Sequence, residues 1–186
     1  MREYANLLVV RLMVPILVLL TAASSASAQS AEPTLGGLKG VEIVLVLKHE
    51  TKSRLGLATE RAYLAVEEEI RQAGVKVLPP TEQVTQIGSI FRKLPEGYAV
   101  LYFQVATVAG PGRGDNYAVD LRFDLLDRVR LSRDNSKETV ASIYNARQLF
   151  LSTGRGGGDE ALRILRSMAR EFAADFMESN PETDRR

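Results

Sequence analysis

Cysteine is absent from this chain of 186 residues, which excludes both a disulfide framework and a lipid anchor attached through cysteine. Stability must therefore come from a packed core alone. Histidine is scarce as well, because His49 is the only one. One histidine without cysteine leaves mainly carboxylates as metal ligands, and these do not have the spacing of a calcium loop. We therefore expect no metal and no other cofactor.

An excess of charge of one sign is also lacking. The chain has 24 basic and 23 acidic residues, and residues 1–28 contain two of the basic and one of the acidic residues, so 22 of each remain beyond residue 28. Binding to a nucleic-acid backbone needs a basic surface, so we expect no nucleic-acid partner. Long apolar runs are missing after the N-terminus, and we expect no stable membrane insertion of the mature chain.

The first 28 residues are organised like a secretory signal peptide. Arg2 and Arg11 provide a basic start, and residues 12–20 form an apolar run of nine. This run is well below the roughly 20 residues that cross a bilayer. Small residues at 26–28 then supply the positions that a signal peptidase reads.

We predict cleavage between Ala28 and Gln29, which removes 28 of 186 residues and leaves 158. The protein is then expected to be periplasmic or secreted in a bacterium. An uncleaved anchor, in which residues 7–10 extend the apolar run across Arg11, is the alternative.

Four segments are expected along the chain. Residues 1–28 are the signal peptide, and residues 29–40 are small, polar and glycine-bearing, which is typical of a flexible lead-in. Residues 41–181 have the length of one domain with a hydrophobic core. Residues 182–186 are expected to be a disordered tail.

The first half of the domain predicts a β-α-β unit. Residues 41–48 are an apolar, β-branched run that favours a buried strand, and residues 59–73 carry an apolar stripe at helical spacing. Residues 75–78 follow as a short strand that ends at Pro79 and Pro80. The two strands are expected to be parallel neighbours.

The second half predicts an antiparallel meander and a closing helix. Strands are expected over residues 98–108, 117–131 and 139–150, with a polar turn over 132–138, and a helix over 159–179. In the middle strand seven of eight odd positions are apolar and five of seven even positions are charged.

The resulting fold class is α+β, a two-layer sandwich of a mixed sheet with two helices on one face. Val119, Leu121 and Phe123 are expected under the helices. The other face is expected to be solvated and to carry the alternate residues Asp120, Arg122 and Asp124.

No set of residues predicts a catalytic site. His49 is expected at the end of the first strand, where α/β active sites often lie, but no nucleophile motif accompanies it. The glycine run at 154–158 precedes a helix but lacks the lysine and hydroxyl residue of a phosphate loop. We interpret it as a flexible connection.

Four segments carry a resemblance to a known family: residues 56–60 (GLATE), 70–77 (IRQAGVKV), 98–105 (YAVLYFQV) and 117–121 (YAVDL). With the signal peptide before them and Asn180-Pro181 behind, they resemble small exported bacterial proteins without assigned function. The resemblance covers most of residues 41–181. The order of elements is also distantly similar to the N-terminal, anticodon-binding-like domain of TolB, which implies a docking module. This chain lacks the propeller that follows in TolB, and the resemblance assigns no functional residue.

The function expected from the sequence is a non-enzymatic interaction module of the cell envelope, with an envelope protein as its partner. Its contact surface is expected on the sheet face away from the helices, around Tyr102, Gln104, Asp120 and Arg122. An envelope hydrolase that uses His49 and a carrier of a small ligand held between helices and sheet are the alternatives.

Overall fold

A mixed β-sheet forms one layer of the domain. A computed structural model describes residues 35–80, 91, 93–109, 116–153 and 156–181. Among these residues the sheet has four strands in the order β1-β2-β3-β4, and only β1 and β2 are parallel. The bounds are β1 Gly40–Leu47, β2 Tyr98–Ala109, β3 Asn116–Leu131 and β4 Asp134–Thr153. The predicted signal peptide, its cleavage site and the predicted tail lie outside the described residues.

Helices form the second layer and confirm the expected α+β class. The two long helices, α2 (Thr59–Gln72) and α3 (Gly157–Ser179), share one core with a single face of the sheet. A short helix that the sequence pattern did not predict, α1 (His49–Leu55), precedes them and ends at Gly56 in the left-handed conformation, φ 62°. Within the described residues, every helix is too short or too polar to span a bilayer.

Aromatic side chains fill the space between the two layers. Phe123 of β3 stacks on Phe103 of β2 with 4.7 Å between ring centroids. Phe172 of α3 meets the Phe123 ring edge-on at 5.2 Å, and Phe176 follows one helical turn later. All four phenylalanines are fully buried. The alternation in β3 predicted the burial of Phe123, Val119 and Leu121, and all three are fully buried.

Among the described residues, the opposite face of the sheet is covered at one end only. There a second cluster contains Phe91, Leu94, Tyr98 and Val100, of which Val100 is fully buried. The segment before β2 thus folds over the start of that strand. No other described segment packs on the rest of this face, toward the end of β2.

The expected strand at 75–78 is reduced to one parallel bridge between Val77 and Val41. Val41 donates its N–H to Lys76 O (2.9 Å), and Leu78 donates its N–H to Val41 O (2.8 Å). Proline has no N–H, so Pro79 and Pro80 cannot continue the ladder. The parallel partner of β1 along its whole length is therefore β2.

Strand β4 is longer than expected. The turn predicted over residues 132–138 is confined to Ser132 and Arg133, and β4 begins at Asp134. Most side chains of its first half are exposed, so no alternation of apolar and polar residues marks the strand. A strand exposed on both faces does not show a period of two.

The packed domain begins earlier than residue 41. Leu35 and Leu38 are buried, although they lie in the segment expected to be a flexible lead-in. The side-chain amide of Asn180 donates to Leu35 O and Phe176 O (both 2.9 Å) and accepts a hydrogen bond from Gly37 N–H (2.8 Å). One side chain therefore ends α3 and holds the start of the domain.

The glycine run before α3 is not a flexible connection throughout. α3 begins at Gly157, where a Cβ atom would lie 2.6 Å from Ser152 Oγ and would overlap the Tyr117 hydroxyl. A side chain at the next residue, Gly158, would overlap the carbonyl of Leu55. These two glycines permit close packing of α3 against β3, β4 and α1. Residues 154 and 155 lie outside the described part.

Candidate functional site

The sheet face that points away from the helices holds the four residues expected to form an interaction surface. Tyr102 lies opposite Asp124, and Gln104 lies opposite Arg122 on the neighbouring strand. Asp120 precedes Arg122 by two residues and so shares its face. We call this surface the open face. Its residues are Tyr102, Gln104, Ala106 and Val108 of β2, Ala118, Asp120, Arg122 and Asp124 of β3, and Arg147, Leu149 and Leu151 of β4.

Charged residues on the open face neutralise each other in pairs. Arg147 donates two hydrogen bonds to Asp120, at 2.7 and 2.9 Å, and these bonds raise the pKa of the arginine. Arg122 forms a second ion pair, with 2.7 Å from its Nε to Asp124 Oδ2. The face therefore presents polar groups without a net charge.

Asp124 departs from the expectation of a solvated carboxylate, because it is only 4% exposed. Besides the ion pair with Arg122, it accepts a hydrogen bond from Ser142 Oγ of β4 at 3.1 Å. Burial, followed by the negative charge of Asp124, raises the pKa of Tyr102 on β2. The Tyr102 hydroxyl thus remains a neutral donor and acceptor over the physiological range.

An apolar corner adjoins these ion pairs at the far end of the open face. Val108, Ala118 and Leu151 lie in one row across β2, β3 and β4, and Leu149 lies in the next row beside Asp120. Val108 is 63% exposed, Leu149 67% and Leu151 85%. Clustered apolar side chains of this exposure mark interaction sites in soluble proteins.

The sequence patterns do not single out Leu149 and Leu151. They flank Phe150, whose side chain packs against the core on the opposite face. Three consecutive apolar residues in a strand with one covered face must expose some of them. This run of three apolar residues is the feature of the sequence that indicates exposed apolar side chains in β4.

His49 does not lie at the end of β1 but is the first residue of α1, and it is exposed. Its main-chain carbonyl accepts a hydrogen bond from Ser53 Oγ at 3.2 Å, which is a contact within the helix. In the described residues its imidazole forms no hydrogen bond. Among the described residues, the structure therefore places no catalytic partner at hydrogen-bond distance from the His49 imidazole.

The space between helices and sheet, where a small ligand was the alternative expectation, is filled by the phenylalanine core. A groove of about 750 Å³ lies elsewhere, between α2 and α3 on the outer surface. Its walls carry interhelical ion pairs, including Arg61–Asp159 at 3.2 Å and Arg170–Glu69 at 2.6 Å. These pairs join the two helices.

Comparison with known proteins adds no assignment, because no family model matches the chain and no curated protein matches it significantly. Within the described ranges, no three histidine or acidic side chains are grouped as a metal site requires. The interpretation of function therefore rests on the open face.

Proposed function

We propose that this protein is an exported, non-enzymatic module that binds another protein of the cell envelope through the open face. The observation that carries the proposal is the exposed corner of Val108, Leu149 and Leu151 beside two internally neutralised ion pairs. Protein interfaces combine an apolar centre with a rim of polar groups that form hydrogen bonds. The open face has both parts in adjacent rows of the sheet.

The residues of the open face also indicate what kind of partner it binds. Asp120 and Asp124 neutralise the arginines beside them, so a strongly charged ligand gains little from long-range attraction. Exposed leucine and valine side chains favour an apolar surface, and Tyr102 and Gln104 offer hydrogen bonds at its border. A folded protein with a mixed apolar and polar patch fits this description better than nucleic acid does.

Export is the second part of the proposal, and the signal-like residues 1–28 support it. The resemblance to small exported bacterial proteins, and the distant one to the docking domain of TolB, agrees with an envelope role. N-terminal sequencing of the periplasmic product is expected to begin at Gln29. A membrane-retained product that begins at Met1 would contradict cleavage.

Site-specific photo-cross-linking tests the contact surface in the cell. A photoreactive phenylalanine analogue replaces Gln104 on the open face, and the control carries it at Leu64, which is 54% exposed on α2. We expect a discrete adduct with another envelope protein from position 104 and none from position 64. Adding Arg122→Glu is expected to weaken the adduct, since it leaves two carboxylates together beside the contact.

Two results would count against this function. Equal adducts from both positions, or none from position 104, would exclude the open face as the docking site. Turnover of a generic ester or peptide substrate that disappears in His49→Ala, with an unchanged circular dichroism spectrum, would show that the module is an enzyme.

A further inference from the structure

Strand β4 forms an edge of the sheet that pairs on one side only within the described part of the chain. The opposite edge differs, because β1 forms a bridge there through Val41 and the bridging segment ends in Pro79 and Pro80. Free N–H and C=O groups along an edge strand are a template for another strand. Natural proteins usually protect such edges with charges, proline or bulges.

Protection is uneven along β4. Its first five residues, 134–138, include three charged side chains, whereas residues 139–153 include only Arg147 and neither proline nor glycine. Arg147 is held by Asp120 on the open face, away from the edge. The unprotected half is also the half that carries Leu149 and Leu151.

The ends of the described domain lie far from Ser152, near the end of this edge. Asn180 holds Leu35 at the C-terminal end of α3, whereas Gly157 at the other end of α3 packs against Ser152. A helix of 23 residues is about 34 Å long at 1.5 Å per residue. The sequence of residues 110–115 (GPGRGD) contains no large apolar side chain besides proline. A second copy of β4 offers both the apolar side chains and the free backbone groups that could pair with this edge.

We propose that two copies of this protein pair through residues 147–153 of β4, antiparallel and about a twofold axis at Phe150. In this register Leu149 lies opposite Leu151 of the partner subunit, and the same contact recurs on the other side of the axis. An axis at Leu149 would instead set Arg147 against Leu151 of the partner subunit. The axis at Phe150 joins both leucines in apolar pairs, which favours it.

The dimer would have one continuous sheet of eight strands, with the two apolar corners adjacent at its centre. This inference goes beyond the proposed function, because it concerns the purified protein alone. A monomeric protein could still give the cross-linked adduct at position 104. A protein that gives no adduct there could still form the dimer.

Molar mass in solution is the first test. The full-length chain is expressed, purified in the form to which the cell processes it, and measured by light scattering and sedimentation equilibrium. We expect twice the chain mass for wild type and for the control Leu64→Lys, and a single chain mass for Leu149→Lys/Leu151→Lys. A monomeric wild type, or a folded double variant that stays dimeric, would overturn the proposal.

Disulfide trapping is the second test, and it does not depend on the double lysine variant folding. Because the chain has no cysteine, Leu149→Cys and Leu151→Cys each carry a single thiol. Opposite Cβ atoms lie about 4.5–5.5 Å apart and diagonal ones about 7–8 Å apart. Mixing the two variants under mild oxidation is therefore expected to yield several-fold more mixed disulfide than either variant yields with itself. Equal yields, or no dimer, would overturn the register.

Discussion

Replacing Phe123 by alanine removes the ring that joins the two layers. Phe123 is fully buried and contacts three other rings, with centroid distances of 4.7 Å to Phe103, 5.2 Å to Phe172 and 5.5 Å to Tyr144. Since these neighbours belong to β2, α3 and β4, the cavity can close only if sheet and helix move together. We expect the free energy of unfolding to fall by about 3–5 kcal/mol, the range for buried aromatic residues.

Such a loss is a large share of the roughly 5–15 kcal/mol that stabilises an ordinary domain. Urea unfolding followed by circular dichroism measures it, and Leu64→Ala is the control because Leu64 is half exposed on α2. The control is expected to change stability by no more than about 0.5 kcal/mol. A loss below about 1 kcal/mol for Phe123→Ala, with an unchanged denaturant slope, would refute the two-layer core described above.

Three further predictions concern polar groups. Asp124→Ala is expected to cost about 1–2 kcal/mol in urea unfolding, because a buried acceptor is lost while Arg122 remains accessible to water; a change within about 0.5 kcal/mol would mean that the site is solvated. Asn180→Ala is expected to cost about 2–3 kcal/mol, since it leaves backbone groups of the domain start and of α3 without partners, and hydrogen exchange should rise first at Gly37. Hydrogen bonds from Arg170 lower the pKa of Glu69 below its ordinary value, so its contribution to stability is complete above that ordinary pKa and is lost as pH falls through the folded pKa. Glu69→Gln should therefore reduce the acid-induced loss of stability as the pH falls from about 5 through the lowered pKa of Glu69, and an unchanged loss would contradict this linkage.

Local periodicity accounts for the elements that were predicted correctly. In β3 the alternation of apolar and charged residues over 117–131 specifies both a strand and its buried face, because consecutive side chains of a strand point to opposite sides. The apolar stripe of α2 specifies a helix for the equivalent reason at a spacing of 3.6 residues. An element that is buried on one side only must alternate apolar and polar residues at its own period. The sequence therefore shows which elements are buried in this way.

Elements without such one-sided burial were misjudged. The first five residues of β4, 134–138, are polar and mostly exposed, so they carry no apolar alternation and the sequence predicts a turn there. Helix α1 is short and polar, and it is held by the burial of Thr51 and Leu55 against the end of the sheet and α3. Its packing partners lie far away in the sequence.

The candidate site was predicted in part. Period two placed Tyr102 and Gln104 on one face of β2, and Asp120 and Arg122 on one face of β3, from the sequence alone. The antiparallel meander was predicted, but its register depends on the pairing of the assembled strands, and this register sets Gln104 opposite Arg122 and gives Asp124 its buried position. The exposure of Leu149 and Leu151 also depends on the tertiary structure. The helices cover the side of β4 that carries Phe150, and only the assembled layers determine which apolar residues remain in water.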